Sequence, residues 1–175
     1  MSAAVRNRDI RTIEAFLASD KRLKGSLPEW RPSSRKGDME ATWDIIEEHG
    51  IERAHLRFRC AVAHRDRPSI SLIFRNMPAW RIDIVPADEC KFNPPWCAQQ
   101  GLPATVCGPH EHRWDDNLKY LAGGGPWSLP ARRPLQPQVR RVPQIMPWFC
   151  SVIRLSFDPD QRGFDVPPQT DLFSC

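Results

Sequence analysis

Apolar and polar positions alternate in three consecutive stretches of the chain. From His55 to Val62, Leu56, Phe58, Cys60 and Val62 fall on one side, and His55, Arg57 and Arg59 on the other. Ser69 to Arg75 repeats the pattern, with Ile70, Leu72 and Phe74 opposite Ser69, Ser71 and Arg75. Trp80, Ile82 and Ile84 then oppose Arg81 and Asp83. Successive side chains of a strand point to opposite faces, so period two predicts half-buried strands. Arg65-Asp66-Arg67-Pro68 and Asn76-Met77-Pro78 read as turns, which makes the three runs an antiparallel meander with one apolar and one polar face. His110 to Trp114 is expected as a fourth strand, with His110, His112 and Trp114 on one face.

Helical spacing appears around this sheet. Ile10, Ile13, Phe16, Leu17 and Leu23 predict an amphipathic helix over Asp9 to Lys24. Asp38 reads as the N-cap of a second short helix carrying Trp43, Ile45 and Ile46 and stopped at Gly50 after His49. Asp115-Asp116-Asn117 caps a third through Leu118, Tyr120 and Leu121, stopped by Gly123-Gly124-Gly125-Pro126. A last one starts near Pro143 or Pro147 and runs through Trp148, Phe149, Val152, Ile153 and Leu155. The expected fold class is α+β: an antiparallel sheet of four or more strands, N-terminal helices packed on its apolar face, and a C-terminal helix. One domain spans 1–175, divided into a helical part at 1–50, the meander and histidine motif at 51–117, and a basic proline-rich strap, helix and tail at 118–175.

Composition changes this picture in three places. The 18 prolines are about twice the usual share of roughly 5%, so the connections are long and irregular, above all Pro86 to Pro109 and the strap Trp127 to Pro143. A net charge of +4 permits an RNA or an acidic protein partner without establishing either. No apolar run approaches the ~20 residues that span a bilayer, and the first residues lack the apolar stretch of a secretory signal. A cytoplasmic protein away from membranes is therefore expected, its six cysteines reduced and serving as packing residues, ligands or thiols.

The polar positions supply the candidate chemistry. His55, Arg57, Arg59, Arg75 and Arg81 share one sheet face with only Asp83 to balance them, which is either a solvated face or a phosphate-binding one. The strap adds Arg132, Arg133, Arg140 and Arg141 as further substrate-binding candidates. His110 and His112, two apart on a strand, can flank one phosphodiester as acid and base, with Arg57, Arg59 and Arg81 stabilising the charge that develops. Cys90, Cys97, Cys107 and His110 lie close enough in sequence for a structural zinc, although their gaps are not those of paired knuckles. Gly123-Gly124-Gly125 lacks the strand and lysine of a nucleotide loop, so no other cofactor is expected.

Trp80-Arg81-Ile82-Asp83-Ile84, Asn93-Pro94 and Gly108-Pro109-His110-Glu111-His112 together resemble small uncharacterised prophage and mobile-element proteins of toxin-like type. Those carry an R-[LI]-D strand, a short Asn-Pro loop and a closing P-H-x-H strand, and the likeness covers about residues 80–117. It implies a mobile-element or defence context with RNA cleavage as the activity. The expectation is a metal-independent ribonuclease with His110, His112 and Arg81 catalytic. The alternative is a non-enzymatic inhibitor or antitoxin-partner type of protein that binds through its basic surface.

Overall fold

Residues 38–47 alternate Glu40, Thr42 and Asp44 with Ala41, Trp43 and Ile45, and the chain follows that period. They form strand β3 (Asp38–Glu47) rather than the expected second helix. Ala41, Trp43 and Ile45 are buried, so placing an indole and a β-branched side chain on a pleated core face outweighs the cap-like Asp38. The structure, a computed structural model, describes residues 3–47, 52–136 and 141–167. His49 and Gly50, expected to close that helix, lie outside the described residues.

The first helix, α1 (Ala3–Ala18), starts earlier and stops sooner than expected. The Lys21 ammonium donates to the carbonyls of Phe16, Leu17 and Ser19 at 2.8, 3.2 and 2.5 Å, which satisfies the exposed helix end and lets the chain leave it. The residues that follow form β1 (Lys21–Leu23), and a short β2 (Arg31–Pro32) lies alongside β3. Three long strands come next: β4 (Glu52–Ala61), β5 (His64–Phe74) and β6 (Met77–Asp83).

Both turns of this region are tighter than the sequence reading. Ala61 faces His64, so Arg65 to Pro68 belongs to β5 and not to a turn. Arg75 and Asn76, at φ 47° and 67°, form the two-residue connection to β6. Left-handed residues at both central positions match the twist of the flanking strands.

After β6 come a second, two-stranded sheet of β7 (Cys90–Phe92) and β8 (Thr105–Cys107), then β9 (His110–Arg113) and α2 (Trp114–Ala122). Trp114 therefore opens α2 instead of ending the strand. The chain closes with β10 (Arg133–Pro134), α3 (Val142–Val152) and β11 (Leu155–Ser156). Among the described residues the main sheet has nine strands in the order β10-β9-β6-β5-β4-β3-β1-β11, with β2 beside β3. Every pair is antiparallel except β1 with β11.

One face of this sheet carries the core. Phe16 of α1 packs on Phe74 and Phe149 of α3 on Trp80, with ring centroids 4.6 and 6.3 Å apart. Leu56, Phe58, Ile70, Leu72 and Ile82 fill the space between. The strap is not a loose surface segment: Leu129, Ala131 and Leu135 are buried, and Arg133 and Pro134 pair with Glu111 and His110 of β9. No helix among the described residues is long and apolar enough to cross a membrane.

Candidate metal centre

The opposite face of the sheet holds the site. Register places Arg57, Ser71, Arg81 and His112 side by side across β4, β5, β6 and β9. The next row is Arg59, Ser69, Asp83 and His110. The imidazole pair and the arginines of the long strands thus share one face. Asp83, His110 and His112 are 9%, 3% and 5% exposed, although each bears a polar head.

Asp83 joins the two rings. Its Oδ2 lies 3.5 Å from His110 Nε2 and 3.2 Å from His112 Nε2. Its Oδ1 accepts from Arg81 Nε at 2.8 Å, with Arg81 Nη2 at 2.7 Å. The far side of each ring meets a backbone carbonyl: His110 Nδ1 with Gly108 at 2.9 Å, and His112 Nδ1 with Leu129 at 2.6 Å. A carbonyl only accepts, so both Nδ1 atoms carry hydrogen. A neutral ring of that tautomer turns its Nε2 lone pair toward an anionic oxygen, so the contact is favourable only with positive charge there: a second proton that makes Nε2 a donor to Asp83, or a metal ion.

Burial works to raise the Asp83 pKa. Hydrogen bonds with His110 and His112 and the charge of Arg81 outweigh it and hold the carboxyl far below its ordinary value. The three ligand atoms lie within 4.8 Å of one another, and this group can hold a metal ion. Imidazoles that donate Nδ1–H to carbonyls while presenting Nε2 are oriented as metal-bound histidines are.

Local sequence explains the placement. Gly108, at φ +77°, turns the chain where a Cβ would stand 3.4 Å from the Ala87 backbone, and its carbonyl swings under His110. Leu129 is brought to His112 by two asparagines that mimic strand pairing. Asn93 Oδ1 accepts from Arg132 N at 2.9 Å, and its Nδ2 donates to Arg132 O at 2.8 Å. Asn117 Oδ1 accepts from Ala131 N at 2.8 Å, and its Nδ2 donates to Ala131 O at 3.3 Å.

Asp83 and His112 line a cavity of about 680 Å³ together with Arg57, Arg59, Arg81 and Arg132. Arg35 and Arg67, not singled out from sequence, line it as well. His55 stays on the same sheet face two residues from Arg57 but outside the cavity, and burial lowers its pKa. The other basic candidates are elsewhere. Arg75 sits in the hairpin turn over Phe74, Arg133 is bound to Asp116, and Arg141 precedes α3 beside a different cavity. Arg140 lies outside the described residues.

The cysteine set does not assemble. Cys90 and Cys107 face each other across β7 and β8 and form a disulfide, so neither is the reduced thiol or zinc ligand expected from sequence. Cys97 is buried with Leu102 and Ala131, and burial pushes its thiol pKa up. Only His110 of that set reaches a group able to hold a metal, and its companions there are Asp83 and His112. Sequence reasoning noted Asp83 as a counter-charge but missed it as a site residue. The signal available was its register with His110, two positions along β6 from Arg81 and so on the same face. Glu111, fully buried on the core face, holds Trp80 Nε1 and Arg113 and belongs to the structural core.

No protein-family model, curated protein or solved structure matches this chain. The functional reading therefore rests on the geometry.

Proposed function

We propose that the protein is a metal-dependent hydrolase of nucleic-acid phosphodiesters, with Asp83, His110 and His112 as ligands of one zinc-type ion. The carrying observation is that two imidazole Nε2 atoms meet one carboxylate oxygen, at 3.5 and 3.2 Å, and that this carboxylate and His112 line an arginine-rich cavity. At zinc–ligand distances of about 2.0–2.1 Å, two ligand atoms of a tetrahedral centre lie about 3.3 Å apart. The two carboxylate–imidazole separations are close to that value, and all three ligand atoms lie within 4.8 Å of one another.

Three protein ligands leave a fourth position for water, as in hydrolytic rather than structural zinc sites. An ion held there would supply hydroxide at neutral pH, because a zinc-type ion lowers the pKa of bound water to about 7. His110 and His112 act as ligands in this reading, not as general acid and base, because both nitrogens of each ring are already engaged. Arg81 fixes the carboxylate through Oδ1 and leaves Oδ2 for the ion. The cavity arginines offset phosphate charge. The geometry argues for a phosphodiester; the choice of RNA as the substrate to test comes from the resemblance expected for residues 80–117.

Incubation of the purified protein with labelled RNA tests this. Cleavage is expected to stop in chelator, return with zinc, and fall at least about 100-fold in Asp83→Asn and His112→Ala. Cleavage that survives both chelation and Asp83→Asn would sink the reading, as would a zinc-loaded protein that leaves RNA intact.

A further inference from the structure

The arginines of the cavity are unequally matched. Arg35 has Asp38 at 3.7 Å, Arg59 has Glu40 at 3.4 Å, and Arg67 has Asp66 and Glu89 at 3.9 Å. Arg81 is held by Asp83. Arg57 and Arg132 differ: among the described residues, neither has a carboxylate within ion-pair distance. Both are half-buried. The Nε of Arg132 is buried without a hydrogen-bond partner.

Burial lowers the pKa of Arg57, and neighbouring Arg59 and Arg81 lower it further. For Arg132 burial again leads, with Arg81 acting the same way and Asp83 opposing. Both guanidiniums line the cavity together with Arg81. Their backbones are fixed, Arg57 between β3 and β5 and Arg132 by the Asn93 clamp. Two pre-placed cations with no carboxylate at ion-pair distance, in a partly dry cavity, are a binding site for an anion.

Its position says which anion. Asp83 and His112 lie in the same wall, so the metal-held group and the Arg57–Arg132 group are served at once by a ligand with two separate negative charges. A cavity of about 680 Å³ is of small-molecule size and takes a nucleotide or two of an unpaired strand, not a duplex.

We propose that Arg57 and Arg132 form a second phosphate subsite that holds a non-scissile backbone phosphate of a single-stranded polynucleotide. The identity of the ligand rests on the hydrolase reading, whereas anion binding at these two residues does not require the metal.

The test measures binding of a fluorescein-labelled hexauridylate by anisotropy, in chelator so that nothing turns over, across a range of salt. Arg57→Gln/Arg132→Gln is expected to bind at least about ten times more weakly. Its log K against log salt slope is expected to be shallower by about 1.4, the single-strand value for two lost phosphate contacts. Arg11→Gln/Arg22→Gln, an equal charge change at exposed positions, is expected to match wild type. Each single cavity variant should lose about half the slope change and serves if the double variant does not fold.

Inorganic phosphate and uridine monophosphate are run as competitors. Competition by either at the concentration of the hexamer makes the subsite one for free phosphate and overturns the polynucleotide assignment. Wild-type affinity and slope in the double variant overturn the subsite itself. Metal-dependent cleavage is read separately, so its failure with binding intact removes the hydrolase and not the subsite.

Discussion

Asp83 divides its two oxygens between two tasks, Oδ1 to the Arg81 fork and Oδ2 to the pair of imidazoles. Lys21 is the contrasting case, a buried cation held by three carbonyls and the face of Phe16. Burial pushes its ammonium down to about 8, and Arg154 adds to the shift against Asp20 and Glu47. The ordinary value is 10.5, so between about 8 and 10.5 the unfolded chain binds more protons than the folded one. Stability therefore rises with pH across that window. Urea unfolding at pH 7.5 and 9.5 should show wild type gaining on Lys21→Met by on the order of 1–2 kcal/mol. A constant or narrowing gap contradicts this. Part of the site was legible at this scale: period two groups Arg57 with Arg59, Arg81 with Asp83 and His110 with His112, and the strand register then brings the three pairs to one face. Which ring nitrogen meets which group was not, because the Leu129 carbonyl that orients His112 arrives from 17 residues away.

Among the elements, the β7–β8 hairpin bears most directly on the site. Its disulfide joins Cys90 to Cys107, and Gly108, the next residue, supplies the carbonyl beneath His110. Closing a loop of 17 residues contributes about 3 kcal/mol. Cys90→Ser/Cys107→Ser is expected to lose up to about that much stability in urea. It should also bind zinc about tenfold more weakly against a competing chelator, as the support of one ligand loosens. Unchanged stability together with unchanged affinity removes this coupling. The hairpin was hidden in the sequence because strands of three residues show no usable period, and the facing of Cys90 and Cys107 depends on their register. Strands β4, β5 and β6 were legible for the opposite reason, being long and cleanly alternating. β3 was misread because Asp38 resembles a cap and the small Ala41 weakens the apolar beat.

Across the whole molecule, the sheet separates two tasks. One face packs α1 and α3 into the core, and the other presents cations and the His112 imidazole to a cavity lined in part by the strap. The strap, expected as a surface connection, is anchored by Asn93 and Asn117, long-range side-chain pairings that no local pattern reveals. At the far end, Phe164 lies against Trp30, Trp43 and Phe58 and ties the C-terminal described segment to the same core. The sheet's register makes the Asp83–His110–His112 group, and elemental analysis of the purified protein tests that group most directly. The expected result is one zinc-type ion per chain in wild type and none in His110→Ala/His112→Ala. Metal-free wild type that gains no ion on dialysis against zinc contradicts the central claim.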